Sequence, residues 1–182
     1  MKNLLILSFG LLMGLTGCGP KVAIDKATLP KYDTLLVKEP TFNNTIFVDM
    51  DAEEKERFEN LKQGLKITLQ DSIYTASIEK KIFKEVSKDK TQNANPLTME
   101  CNFNKFEFGN RALRYFFWAG NRTKTGITCT LIGNNTVVRS KMEEDGTGGP
   151  FKWSSPESYF LSMTTEMAEK FAEMTEEYMS GE

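Results

Sequence analysis

Two runs of apolar residues at helical spacing bracket a stretch whose apolar residues recur at every second position, and this change of period limits the fold more than any other feature. Phe58, Leu61, Leu65, Leu69, Ile73 and Ala76 fall three or four residues apart, which puts them on one face of an α-helix. Asp51 before Glu53 and Glu54 supplies an N-cap and an acidic first turn. Phe160, Met163, Met167, Phe171, Met174 and Tyr178 repeat the helical spacing near the end of the chain, with Glu166, Glu169, Glu173 and Glu176 on the opposite face. Ser154-Ser155-Pro156-Glu157 marks where that helix starts. Between the stripes, Leu97, Met99, Cys101 and Phe103 alternate with Thr98, Glu100, Asn102 and Asn104, the pattern of a strand with one buried face. Two helix stripes and a one-faced sheet bury each other when the helices lie on the sheet. The expected class is therefore α+β, a two-layer arrangement with a mixed, mostly antiparallel sheet and two amphipathic helices packed on it.

The remaining strands follow from shorter signals. Thr34-Leu35-Leu36-Val37, stopped by Pro40, reads as a buried strand, and Thr45-Ile46-Phe47-Val48 as a strand or part of a connection. Lys81 to Val86 follows the first helix as another strand. Thr125 to Ile132 carries Ile127, Cys129 and Leu131 on one face, and Gly133-Asn134-Asn135 is a hairpin turn leading into Thr136 to Met142. Glu143 to Pro150 is expected to be a glycine-rich loop. One domain, residues 32–182, accounts for the whole pattern.

The amino-terminal residues differ in kind. Met1-Lys2-Asn3 is a short basic segment, and Leu4 to Leu15 is an apolar run too short to cross a bilayer core, which needs about 20 residues. It has the length of a signal-peptide core. The run closes on Leu15-Thr16-Gly17-Cys18, which resembles the lipobox of bacterial lipoproteins. That resemblance implies cleavage before Cys18, a covalent lipid of palmitate type on its thiol, and residues 18–31 as a lipidated cysteine and tether. Removing 17 residues from 182 leaves 165, and the loss of Lys2 takes the net charge from −2 to −3. Gly19 after Cys18 implies outer-membrane sorting, on the periplasmic face, in an enteric-type Gram-negative cell.

Chemistry is constrained mostly by what the chain lacks. It has no histidine, so Ser-His-Asp and Cys-His catalysis and histidine-containing zinc sites are excluded. A slightly acidic balance, 23 basic against 25 acidic groups, points away from nucleic acid. Cys101 and Cys129, on the apolar faces of two neighbouring strands, form either a disulfide or two buried thiols. Glu143-Glu144-Asp145 beside Gly146, Gly148 and Gly149 is the densest acidic cluster, but acid–base hydrolysis needs two carboxyls at a set separation. It also lacks the ligand order of a calcium loop. Neither a metal site nor a cofactor is expected, and the chain reads as non-enzymatic.

Arg111, Arg114, Tyr115, Phe116, Phe117 and Trp118 form the other unusual segment, continued by Arg122 and Lys124. Four consecutive aromatics cannot all face one core. They either touch a partner, where aromatic and arginine anchors are favoured, or fold back so that two rings are buried.

Lys81-Ile82-Phe83-Lys84-Glu85-Val86 and Phe108-Gly109-Asn110-Arg111-Ala112-Leu113-Arg114-Tyr115, taken with the strand from Gly126 and the closing helix, resemble an uncharacterised family of bacterial lipoproteins. That family is similar to the small α/β domains of the TolB amino-terminal, CsgG and LpoB type. The resemblance implies an adaptor or assembly factor binding an envelope protein partner. A small-ligand or glycan binder using the aromatics as a stacking platform is the alternative, and a hydrolase built on Glu143, Glu144 or Asp145 is a third reading.

Overall fold

A computed structural model describes residues 31–109, 123–147 and 156–182. Among these residues six strands and two long helices follow one another as β1 (Thr34–Val37), β2 (Ile46–Val48), α1 (Ala52–Lys80), β3 (Glu85–Lys88), β4 (Leu97–Glu107), β5 (Thr123–Gly133), β6 (Thr136–Thr147) and α2 (Pro156–Ser180). The strands form one mixed sheet in the order β3-β1-β4-β5-β6. The two long ladders, β4 with β5 and β5 with β6, are antiparallel. β1 lies parallel to both β3 and β4, a pairing that requires a crossover, and α1 supplies it between β1 and β3. β2 pairs with the far end of β4, so the chain from Thr34 to Val48 runs along most of one β4 edge, with a bridge at Thr41 and Asn102 between the two strands.

Local chemistry sets the limits of these elements. Asp51 accepts from the Glu54 N–H while the Glu54 side chain accepts from the Asp51 N–H, a reciprocal cap at the start of α1. Lys81, in the left-handed region at φ 55°, ends it and donates its N–H to the Ile78 carbonyl. Asn134 and Asn135 both have positive φ, as a two-residue turn between right-twisted strands requires.

Both helices lie on the same face of the sheet and pack against each other. Phe58, Leu65, Leu69 and Ile73 of α1 and Phe160, Met163, Met167, Phe171 and Met174 of α2 are fully buried there. The methionine-rich stripe is thus core. Leu97, Met99, Cys101 and Phe103 meet the helices from the sheet, and then the parity changes, because Phe106 and Phe108 are the next buried residues. A register shift between Phe103 and Lys105 inserts Asn104 as an extra residue. This bulge turns Phe106 inwards against Phe58, Phe103 and Phe160, with ring centroids 4.6, 5.6 and 5.0 Å away. No helix among the described residues is long and apolar enough to cross a membrane.

Candidate functional site

Cys18, the lipobox before it and the tether up to residue 30 lie outside the described residues, as do Arg111, Arg114, Tyr115, Phe116, Phe117 and Trp118. Their attachment points are described, and these fall at opposite ends of the sheet. The Tyr32 hydroxyl fills the space that a Gly133 side chain would need, so the chain enters the domain beside the β5–β6 turn. Residues 110–122 connect the other end of β4 to the start of β5. Each of these strands has eleven residues, which separates the two ends by roughly 35 Å. The last residue returns to the first end, where Arg139 donates to the Glu182 carbonyl oxygen at 3.0 Å.

Cys101 and Cys129 are opposite each other in the β4–β5 ladder and are joined by a disulfide, with α-carbons 4.1 Å apart. Both are buried beneath the helices. The bond fastens the two central antiparallel strands and leaves no thiol available for chemistry there.

Glu143, Glu144 and Asp145 belong to β6 rather than to a loop. The loop expectation was misled by the glycines that follow, whereas the ladder with β5 continues to Thr147. A strand sends successive side chains to opposite faces, so the three acids are divided. Glu143 lies on the helix side, 3.0 Å from Lys170 and 3.2 Å from Lys141. Burial acts to raise its pKa, and the hydrogen bonds from Lys170 and Lys141 outweigh that, holding the carboxyl below its ordinary range. The bond to Glu143 in turn raises the Lys170 ammonium. Glu144 lies on the other face, 3.5 Å from Lys105 and 4.0 Å from Lys124.

That second face carries the polar groups that periodicity alone assigned to solvent without grouping them. Lys105 also contacts Glu107 at 3.2 Å, and Lys124 reaches the same carboxylate at 3.7 Å, making a self-neutralised quartet near the end from which residues 110–122 depart. Next to it, the Asn102 carboxamide accepts from Thr41 and the Asn43 N–H and donates to Asn104, which donates to Thr128. The bulge explains this grouping, since it brings Asn104 and Lys105 forward together. The signal was present in the sequence as the change from odd to even buried positions between Phe103 and Phe106.

No family model matches the chain, and no curated protein matches it by sequence. Among solved structures, a Xanthomonas campestris protein of the family model DUF330 matches with a TM-score of 0.50 at 12% identity, over 81% of this chain and 85% of that one. An uncharacterized protein matches with a TM-score of 0.50 at 10% identity, over 81% and 95%. The PelC dodecamer from Paraburkholderia phytofirmans gives a TM-score of 0.42 at 13% identity, over 81% and 89%, too low a similarity to carry an argument. At such identities the first two matches concern the fold alone: this chain is similar to them in its small α/β architecture.

Proposed function

We propose that the chain is an exported lipoprotein, held to a membrane by acyl chains on Cys18, whose domain binds an envelope protein and catalyses no reaction. The observation that carries this reading is the order of Lys2, the apolar run from Leu4 and Leu15-Thr16-Gly17-Cys18. Each buried methylene of an acyl chain contributes about 0.8 kcal/mol; one chain holds a protein marginally and two hold it stably. A diacylated Cys18 is therefore a lasting anchor.

Two structural features support the reading from other directions. The Cys101–Cys129 disulfide suits an oxidising compartment outside the cytoplasm. The placement of attachment points suits an adaptor, because the tether enters at one end of the sheet while the segment holding Arg111, Arg114 and Tyr115 to Trp118 departs from the other. The partner contact is assigned to that second end.

A photocrosslinking residue in place of Trp118, in the full-length protein in its membrane, tests the assignment. The expected result is a discrete protein adduct that disappears when Arg111 and Arg114 are changed to glutamate. Absence of any adduct, together with normal envelope assembly after substitution of Tyr115 to Trp118, would refute the contact.

A further inference from the structure

We propose that β6 is a self-pairing edge, joining two copies of this chain into a continuous sheet about a two-fold axis. Among the described residues β6 is an outer strand of twelve residues, whereas β3 and β2, the outer strands of the opposite edge, have only four and three. A long free edge offers unpaired backbone groups to a further strand. Val137 and Met142, at 66% and 58% exposed, are among the most exposed large apolar residues described.

The backbone pattern shows which groups the edge offers. Met99 and Cys101 accept, and Phe103 donates, on the side of β4 away from β5, towards Lys38 and Thr41. Cys101 and Cys129 are thus a non-hydrogen-bonded pair, and Cys129 turns its backbone groups towards Lys141. By alternation, Ser140, Met142 and Glu144 direct their N–H and C=O groups outwards.

Charge then selects the register. β6 is basic in its first half, at Arg139 and Lys141, and acidic in its second, at Glu143 and Asp145, and all four lie on the helix side. A two-fold axis normal to the sheet keeps both helix layers on one side and pairs residues of the same face. With Met142 opposite Met142 of the second copy, Lys141 meets Glu143 and Arg139 meets Asp145, and each contact occurs twice. These pairs fall at non-hydrogen-bonded positions, where α-carbons approach to about 4.5 Å. Slipping the pair by one step in either direction would put Lys141 opposite Lys141 or Glu143 opposite Glu143, which is destabilising. The contact is closed, since each copy uses the same patch. The helices leave room for it: α2 lies over β5 and β6, so the two copies of α2 would stand about 10–14 Å apart, at or beyond the packing distance of two helices.

Full-length Met142→Cys protein in detergent, treated with a short bis-maleimide, tests the pairing. Met142 is exposed, the native Cys101 and Cys129 are bonded to each other, and the parent protein treated alongside gives the background from Cys18, so the additional crosslink reports on the edge. The expected result is a covalent dimer of twice the chain mass, and loss of that dimer when Asp145→Lys is added. Val137→Cys is expected to give none, because the two Val137 positions would be roughly 30 Å apart in this register. Failure of Met142→Cys to dimerise, equal yields from Val137→Cys, or a dimer indifferent to Asp145→Lys would each overturn the proposal.

Discussion

Cys101 and Cys129, 28 positions apart in sequence, close a covalent bond across the centre of the β4–β5 ladder, where their α-carbons are 4.1 Å apart. The bond constrains the unfolded chain, and for a loop of that length the stabilisation is about 3–4 kcal/mol. Replacing both cysteines by alanine should lower the urea midpoint accordingly, with a further loss from the cavity beneath the helices. Denaturation of the double variant beside the parent checks this. An unchanged midpoint would mean that the bond contributes nothing.

Tyr32 and Gly133 are locked in a similar way by packing. A β-carbon on Gly133 would overlap the Tyr32 hydroxyl and lie 2.7 Å from the ring carbon bearing it, and Tyr32 is itself buried. Gly133→Ala is expected to destabilise by about 1–3 kcal/mol, the usual range for overpacking. Gly126→Ala serves as the comparison, because its nearest neighbour would be 3.4 Å away, and it should lose much less. Equal losses at the two positions would remove the packing explanation.

Gly64 behaves oppositely. It lies in the interior of α1, exposed, and a β-carbon added there would meet nothing within 4 Å. Gly64→Ala should therefore raise stability by about 0.5–1 kcal/mol, through lower backbone entropy in the unfolded chain and better helix propensity. A thermal melt of the variant measures it directly.

Glu143 should contribute a distinct acid limb. Its folded-state pKa is depressed, with Lys170 and Lys141 overcoming the opposing effect of burial. Such a group stabilises the fold fully above its unfolded pKa, near 4.3, and that contribution is lost as pH falls through the lower, folded value. Glu143→Gln is thus expected to cost stability near neutral pH and to reduce the difference in urea midpoint between about pH 6 and pH 3. An unaltered pH profile would show that the carboxylate is not coupled to its lysines.

The helices and central strands were legible because each carries its burial pattern within itself. The stripes from Phe58 to Ile73 and from Phe160 to Met174 and the alternation from Leu97 to Phe103 read directly as core. Other features depend on partners that a linear pattern does not reveal. β3 begins at Glu85 rather than Lys81, since Phe83 is buried without belonging to a strand. Ala76 is only partly buried while Ser77 is enclosed, because the far end of α1 rotates its contact as it meets α2. Glu143 to Asp145 read as loop on composition, yet β5 supplies the ladder that keeps them extended. The charge quartet of Lys105, Glu107, Lys124 and Glu144 required three strands to be assembled before it existed.

Metabolic labelling with a radioactive fatty acid distinguishes an acylated Cys18 from an unmodified one. In a bacterial host, the parent chain should incorporate label, fractionate with membranes and lose the 17 residues before Cys18, whereas Cys18→Ala should carry no label and remain uncleaved at that site. Label on the Cys18→Ala protein, or a parent chain recovered unlabelled in the soluble fraction, would rule out a lipid anchor on Cys18.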